Sequence, residues 1–332
     1  MFWSDMSDAP EVFVTISRRT FLTTTLAATL AAPALSASQP ISVVATTGMI
    51  ADAARAVGGA LASVEQLMGP GIDPHAYRQT RSDIVKMARA DLVLWNGLYL
   101  EAQMEDVLGD LASRTNVVAV AEALPEAERI AHDDYDNRFD PHLWMDPRLW
   151  SVVVGAVRDA LQSVDPDNTA TYAANAAAYL DEISDLAGYA DTVLQSVPSE
   201  ARVLLTAHDA FNYFGQAYDF DVVGIQGIST ESEAGLLRVR ELVDMLVERD
   251  VRAVFVESSV SDRGVRALIE GARARGHDVT IGGELYSDAM GTPGSYEGTY
   301  LGMIDHNATT IARALGGTAP ARGRLGRLAA GA

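Results

Sequence analysis

Along the chain, short runs of β-branched and aliphatic residues alternate with stretches whose apolar positions recur every three or four residues. Residues 41–46 (ISVVAT) read as a strand and 49–57 as a helix, followed by a second strand over 62–68. A helix over about 80–89 leads into a buried strand at 91–95, a helix over 101–113 and an extended run at 116–120. The alternation restarts with a strand at 202–206, a helix at 210–218, an extended run at 221–225 and a helix at 233–248. It ends with a strand at 253–256, a helix at 262–275, a strand at 278–281 and a closing helix at 296–315. Strands that alternate with helices predict parallel sheets covered on both faces. The fold class expected is α/β, with two Rossmann-like lobes joined by one long backbone helix.

That helix follows Asp165-Pro166, where Tyr172, Ala176, Leu180, Ile183, Ala187, Ala190 and Leu194 trace one face until Pro198 ends the run. At 1.5 Å per residue it spans about 40 Å. As the sole covalent bridge, such a rigid helix predicts lobes that move little relative to each other; the simpler reading is a core helix of one domain. The expected boundaries are an N-terminal lobe over 39–163, the linking helix over 164–197 and a C-terminal lobe over 198–317. The tail over 318–332, with Arg322, Arg324 and Arg327 among Gly and Ala, is expected to be disordered.

Composition narrows the function. A chain of 332 residues is long enough for about two domains. With 48% hydrophobic and 21% charged residues it fits a soluble globular protein, and neither disorder nor a polytopic membrane protein. Asp and Glu total 45 against 25 Lys and Arg, a net charge of −20, which repels phosphate backbones and argues against nucleic-acid binding. Cysteine is absent, which excludes disulfides, thiolate metal sites and cysteine nucleophiles. Any metal site is then built from His, Asp and Glu.

The first segment reads as an address. Ser17-Arg18-Arg19-Thr20-Phe21-Leu22 opens a mildly apolar run over 22–35, and Ala34, Ser36, Ala37 and Ser38 supply a small-residue exit. These features describe a signal peptide of the twin-arginine type over 1–38. The run is shorter than the roughly 20 apolar residues that cross a bilayer. An amphipathic N-terminal helix is the alternative, and Asp5, Asp8 and Glu11 upstream point to a start at Met6 or later. The mature protein is then expected in the periplasm or another extracytoplasmic space, exported, peripheral to the membrane, monomeric and not lipid-anchored through Cys.

Six His residues carry the candidate chemistry. Two share one setting, Asp73-Pro74-His75-Ala76-Tyr77 and Asp140-Pro141-His142-Leu143-Trp144. In each, Pro stiffens the backbone before the imidazole, so presenting the ring costs little ordering entropy. His208 directly follows a strand, at the sheet end where open α/β folds bind ligands, and Asp288 lies just past the last strand. Two groups from each lobe make a site of three imidazoles and one carboxylate, suited to zinc or manganese. For any of these residues the plainer role is a hydrogen-bonded core or capping group, and Ser287-Asp288 could simply cap a turn. His132, His277 and His306 read as structural or solvated. Asp209 and Glu257 are candidates to accept the second ring N–H of a ligating His.

The run Gly69-Pro70-Gly71-Ile72-Asp73-Pro74-His75-Ala76-Tyr77 resembles the first ligand loop of the zinc and manganese solute-binding proteins of ABC transporters. Residues 139–147 (FDPHLWMDP) resemble the second loop, and 207–214 (AHDAFNYF) the third. Residues 227–234 (GISTESEA), 256–259 (VESS) and 283–291 (GELYSDAMG) are similar to that family's C-terminal lobe. The resemblance covers 41 to about 317 and implies His75, His142, His208 and Asp288 as ligands of one transported Zn²⁺ or Mn²⁺, with an ABC permease as partner. Manganese-selective members often have Glu where this chain has His208, and zinc-specific members often carry a long His-rich loop before the second ligand; this chain has neither. It resembles the subgroup that takes either ion.

Two other functions compete. A zinc hydrolase would use the three His as ligands and Asp288 as general base, but four protein ligands leave no open position for an activated water. Neither His-Glu-x-x-His nor Gly-x-Ser-x-Gly occurs, and no Gly-x-Gly-x-x-Gly follows the first strand. A cell-surface adhesin, a label some family members carry, is the other alternative. The reading favoured is a binding protein that performs no catalysis.

Overall fold

A computed structural model describes residues 39–131 and 138–329. The expected signal segment, His132 and residues 330–332 lie outside the described residues.

In the first half, β1 (Ile41–Ala45), β2 (Ala62–Gln66), β3 (Leu92–Trp95) and β4 (Asn116–Ala119) form a parallel sheet in the order β2-β1-β3-β4. The crossovers contain α1 (Gly48–Gly58), α2 (Arg81–Arg89) and α3 (Glu105–Ala112). Strand side chains alternate between two apolar clusters. Val43, Ala45, Leu92 and Leu94 join the main core with α1, while Val44 and Val93 pack with Met87, Met104 and Leu108 on the other face. A sheet buried on both faces is what its continuous β-branched runs require.

Two helices follow. The first, α4 (Pro147–Val164), is a helix that the pattern of apolar positions does not predict. Its start carries a strong local signal: the Asp146 side chain accepts from Arg148 N at 2.9 Å and Pro147 occupies the first turn. Its buried face of Trp150, Val153, Val154, Val157, Ala160 and Leu161 packs on α5 (Thr169–Gln195), the long helix. That helix has 27 residues and also packs against α1 and, from the second half, α9 (Tyr300–Ala314). It is thus both the link and part of the core, because one apolar cluster runs from Val43 in β1 through Tyr172 and Ile183 to Ile311 in α9.

In the second half, β5 (Val203–Thr206) pairs parallel with β6 (Asp221–Gly224), and β7 (Ala253–Glu257) with β8 (Thr280–Leu285). Strand β5 lies beside β7, and α6 (Asn212–Tyr218), α7 (Leu236–Glu248) and α8 (Arg263–Ala274) complete the crossovers. Strand β8 extends four residues beyond the expected 281, through Gly282-Gly283. A Cβ on Gly283 would stand 2.4 Å from Thr310 Cγ2, so the glycine there permits close packing of α9 rather than a turn.

The tail is also corrected. Up to Ala329 it folds back as turns rather than running free. Leu328 is fully buried, and Arg324 N donates to both Asp305 oxygens at 3.0 Å. Ala329 N donates to Glu297 Oε1 at 2.7 Å. Gly323 makes the turn possible, with φ of 70° and Asp305 Oδ1 only 2.4 Å from where a Cβ would stand.

Candidate metal centre

Each of the four candidate residues sits on a loop whose backbone is fixed by its own neighbours. Asp73 Oδ1 accepts His75 N at 2.9 Å, and Asp140 Oδ1 accepts His142 N at the same distance. An Asp two residues ahead thus turns the chain at each Pro-His, the reason the tripeptide occurs twice. Thr230 Oγ1 donates to Asp73 Oδ2 at 2.5 Å, which ties the first loop to the second half of the molecule. His208 follows β5 directly, and Asp288 follows β8.

These loops bring the side chains together. One ligand-capable atom from each of His75, His142, His208 and Asp288 lies within 4.8 Å of all the others, and all four residues are buried. His75 Nε2 and His142 Nε2 are 3.3 Å apart. Asp288 Oδ1 is 3.4 Å from His142 Nε2, while Oδ2 is 3.2 Å from His208 Nε2 and 3.8 Å from His75 Nε2. Metal–nitrogen bonds of 2.0–2.1 Å in a tetrahedron place neighbouring ligand atoms about 3.3 Å apart. The pairs at 3.2–3.8 Å are close to that edge length.

Outer partners orient two of the rings. His142 Nδ1–H donates to Asp140 Oδ1 at 2.7 Å, and His208 Nδ1–H donates to Glu257 Oε2 at 2.5 Å. Each bond fixes the tautomer that turns Nε2 towards Asp288. Glu257 also accepts His208 N at 2.8 Å, so one carboxylate holds both ring and backbone. The role expected for Glu257 is found. Asp209 makes no such contact; its backbone N bonds Gly227 O, and Asp140 takes the place foreseen for it. Asp140 is itself held by Asn212 Nδ2 at 3.1 Å. The signal for Asp140 was its place in the repeated tripeptide. Of the remaining His, His277 Nε2 bonds Val251 O and His306 Nε2 bonds Glu284 O, both structural contacts.

The electrostatics follow from burial and pairing. Burial drives His75 down to about 3, because the favourable pull of Asp288 on a charged ring is opposed by the neighbouring His142 and His208 rings. Burial opposes protonation of His142 as well, yet the Asp140 carboxylate outweighs it and lifts the ring to about 9. His208 is raised by Glu257 and Asp288 against the same burial penalty. Asp288 is held well below the ordinary carboxylate range, burial being overcome by the His208 and His142 rings. A buried anion facing three imidazoles holds protons or a cation, and a metal ion entering the cluster displaces those protons.

The family model described as "Zinc-uptake complex component A periplasmic" matches residues 43–314. The chain is 46% identical to the manganese-binding lipoprotein MntA of Bacillus subtilis over 84% of its own length and 91% of that protein. It is 45% identical to the zinc-binding protein TroA of Treponema pallidum, covering 82% of this chain and 88% of TroA. The solved structure of that periplasmic zinc-binding protein superposes with a TM-score of 0.81, over 83% of this chain and 99% of the solved one. A third relative, the iron-binding protein YfeA of Yersinia pestis, is 32% identical over 82% of this chain and 86% of its own. These names correct one expectation. Several relatives, MntA and SsaB of Streptococcus sanguinis among them, are called lipoproteins, which overturns the inference of an unanchored protein drawn from the lack of cysteine. On the family match and these identities, the chain belongs to the zinc-uptake component A family, the metal-binding solute-binding proteins of ABC transporters, which carry ions rather than catalyse reactions.

Proposed function

We propose that this protein captures one divalent transition-metal ion through His75, His142, His208 and Asp288 and passes it to an ABC permease. The observation that carries the reading is the convergence of four ligand-capable atoms, two from each half, within 4.8 Å. Nitrogen and oxygen donors without sulfur suit both zinc and manganese, and by intrinsic affinity zinc binds such a set more tightly. Manganese loading then depends on the supply of each ion. A closed four-ligand shell also suits transport over catalysis, since it holds no water to activate. The reading includes action as a monomer peripheral to the membrane, and a twin-arginine-type signal over 1–38, supported by Arg18-Arg19 and the apolar run after it.

Titration calorimetry with zinc and with manganese tests the ligand set. His75→Ala and His208→Ala each lower affinity at least tenfold while the far-ultraviolet circular dichroism stays that of the parent. Unchanged affinity in both variants refutes the assignment.

A further inference from the structure

The second Asp-Pro-His loop carries an aromatic residue that the ligand set does not use. Trp144, two residues beyond His142, is 1% exposed, and its ring lies 5.2 Å from the His142 ring. Its Nε1–H donates to Ser287 O at 2.8 Å, the carbonyl immediately before Asp288. Its own carbonyl accepts from Tyr300 OH at 2.9 Å, so the residue is fixed at both ends.

The Asp288 carboxylate makes this bond consequential. Among the described residues, neither of its oxygens has a hydrogen-bond partner besides the imidazoles. Its position is therefore inherited from its backbone, which is clamped on every side. Asn307 Oδ1 accepts Tyr286 N at 2.9 Å, and Asn307 Nδ2 donates to Tyr286 O at 2.7 Å. Ser258 Oγ donates to Ala289 O at 3.1 Å, and Ser287 Oγ lies 2.9 Å from Ser259 Oγ. Those clamps all belong to the second half. The bond from Trp144 crosses from the first half, from the same loop that presents His142.

We infer that Trp144 is a positioning residue that sets the separation between His142 and Asp288 across the two halves, and thereby governs how long a bound ion is retained. The inference rests on the metal-binding reading above. Because the indole spans the gap, losing its N–H lets the Asp288 loop relax away from the histidines while each half keeps its own structure. Outer-sphere partners of this kind typically alter metal affinity by about 10–100-fold.

Trp150 provides the matched control. It is also fully buried and stacks on Tyr300, but its Nε1 has no partner among the described residues, so changing it to Phe removes similar ring volume and no hydrogen bond. The experiment is stopped-flow transfer of Zn²⁺ from the loaded full-length protein to excess chelator, with the Co²⁺-substituted absorption spectrum as a second readout. Trp144→Phe is expected to release zinc about tenfold faster or more and to alter the cobalt d–d bands; Trp150→Phe leaves both within twofold of the parent. Benzothienylalanine at position 144, which keeps the ring volume and lacks the N–H, is expected to match Trp144→Phe and serves if that variant does not fold. Parent-like release and spectra in the position-144 variants overturn the inference, as does equal acceleration by Trp150→Phe. His208→Ala runs alongside. If it binds zinc at least tenfold more weakly while the Trp144 variants behave as the parent, only the positioning role fails; if both it and His75→Ala bind zinc as the parent does, the metal-binding reading fails with it.

Discussion

Glu101 shows how a single buried side chain supports the first half of the site. Its Oε1 accepts from Thr46 Oγ1 at 2.7 Å and Asn96 N at 2.8 Å, and its Oε2 accepts from Gly97 N at 3.2 Å. Asn96 Nδ2 in turn donates to Pro141 O at 3.2 Å, next to His142. Burial outweighs these donors and pushes the Glu101 carboxyl up to about 7. A carboxyl raised on folding binds its proton more tightly in the folded state. Its contribution to stability is complete below the unfolded value near 4.5 and is lost as pH rises through about 7. At about 1.4 kcal/mol per pH unit, the loss is on the order of 3 kcal/mol. Glu101→Gln has no proton to lose, so its denaturation free energy should gain about that much on the parent between pH 4.5 and pH 8. Chemical melts at several pH values check this, and a difference that stays flat with pH contradicts it. Residue chemistry of this kind was only partly legible in the sequence. The repeated Asp-Pro-His marked two ligand candidates and the strand ends marked His208 and Asp288, because local turn chemistry and sheet topology leave sequence traces. Glu101 left none, since two of its donors are backbone N–H groups that any residues supply and the third, Thr46, lies 55 residues away.

Elements were legible where one periodicity dominated. The strands of the first sheet and the long helix were readable because apolar runs and gaps of three and four residues persist through them. Helix α4 was not. It starts within two residues of the 3₁₀ turn at Leu143–Met145, and its apolar residues run on from those of the second ligand loop, which hid the change of period. The informative signal was the cap itself, Asp146 before Pro147. Asp146→Ala removes the acceptor of Arg148 N and should cost about 1 kcal/mol of stability, measured by urea denaturation. An unchanged midpoint would show that water or the neighbouring loop satisfies the first turn equally well. The tail misled for the opposite reason. Its Gly and Arg content looks unstructured, but Leu328 is buried and the backbone N–H groups of Arg324 and Ala329 bond Asp305 and Glu297, contacts that composition does not reveal.

At the scale of the molecule, the two halves share one apolar cluster and several polar ties. Asp52 on α1 accepts both Tyr179 OH on α5 and Tyr300 N at the start of α9, each at 2.9 Å. Tyr300 stacks on Trp150 with ring centroids 5.2 Å apart. A helix of 27 residues packed against both halves opposes hinge bending, because any rotation opens a core that is close-packed. Small-angle scattering of the metal-free and metal-loaded protein should therefore give radii of gyration within about 1 Å of each other, the scale of pre-organised binding. A contraction of several ångströms on loading would show that the shared core yields.

The most direct test of the central claim is a crystal structure of the zinc-loaded protein with anomalous diffraction collected on both sides of the zinc edge. One anomalous peak is predicted, about 2.0–2.2 Å from Nε2 of His75, His142 and His208 and from an Asp288 oxygen. A peak located elsewhere, or a cluster that remains without anomalous density at saturating zinc, would contradict the account.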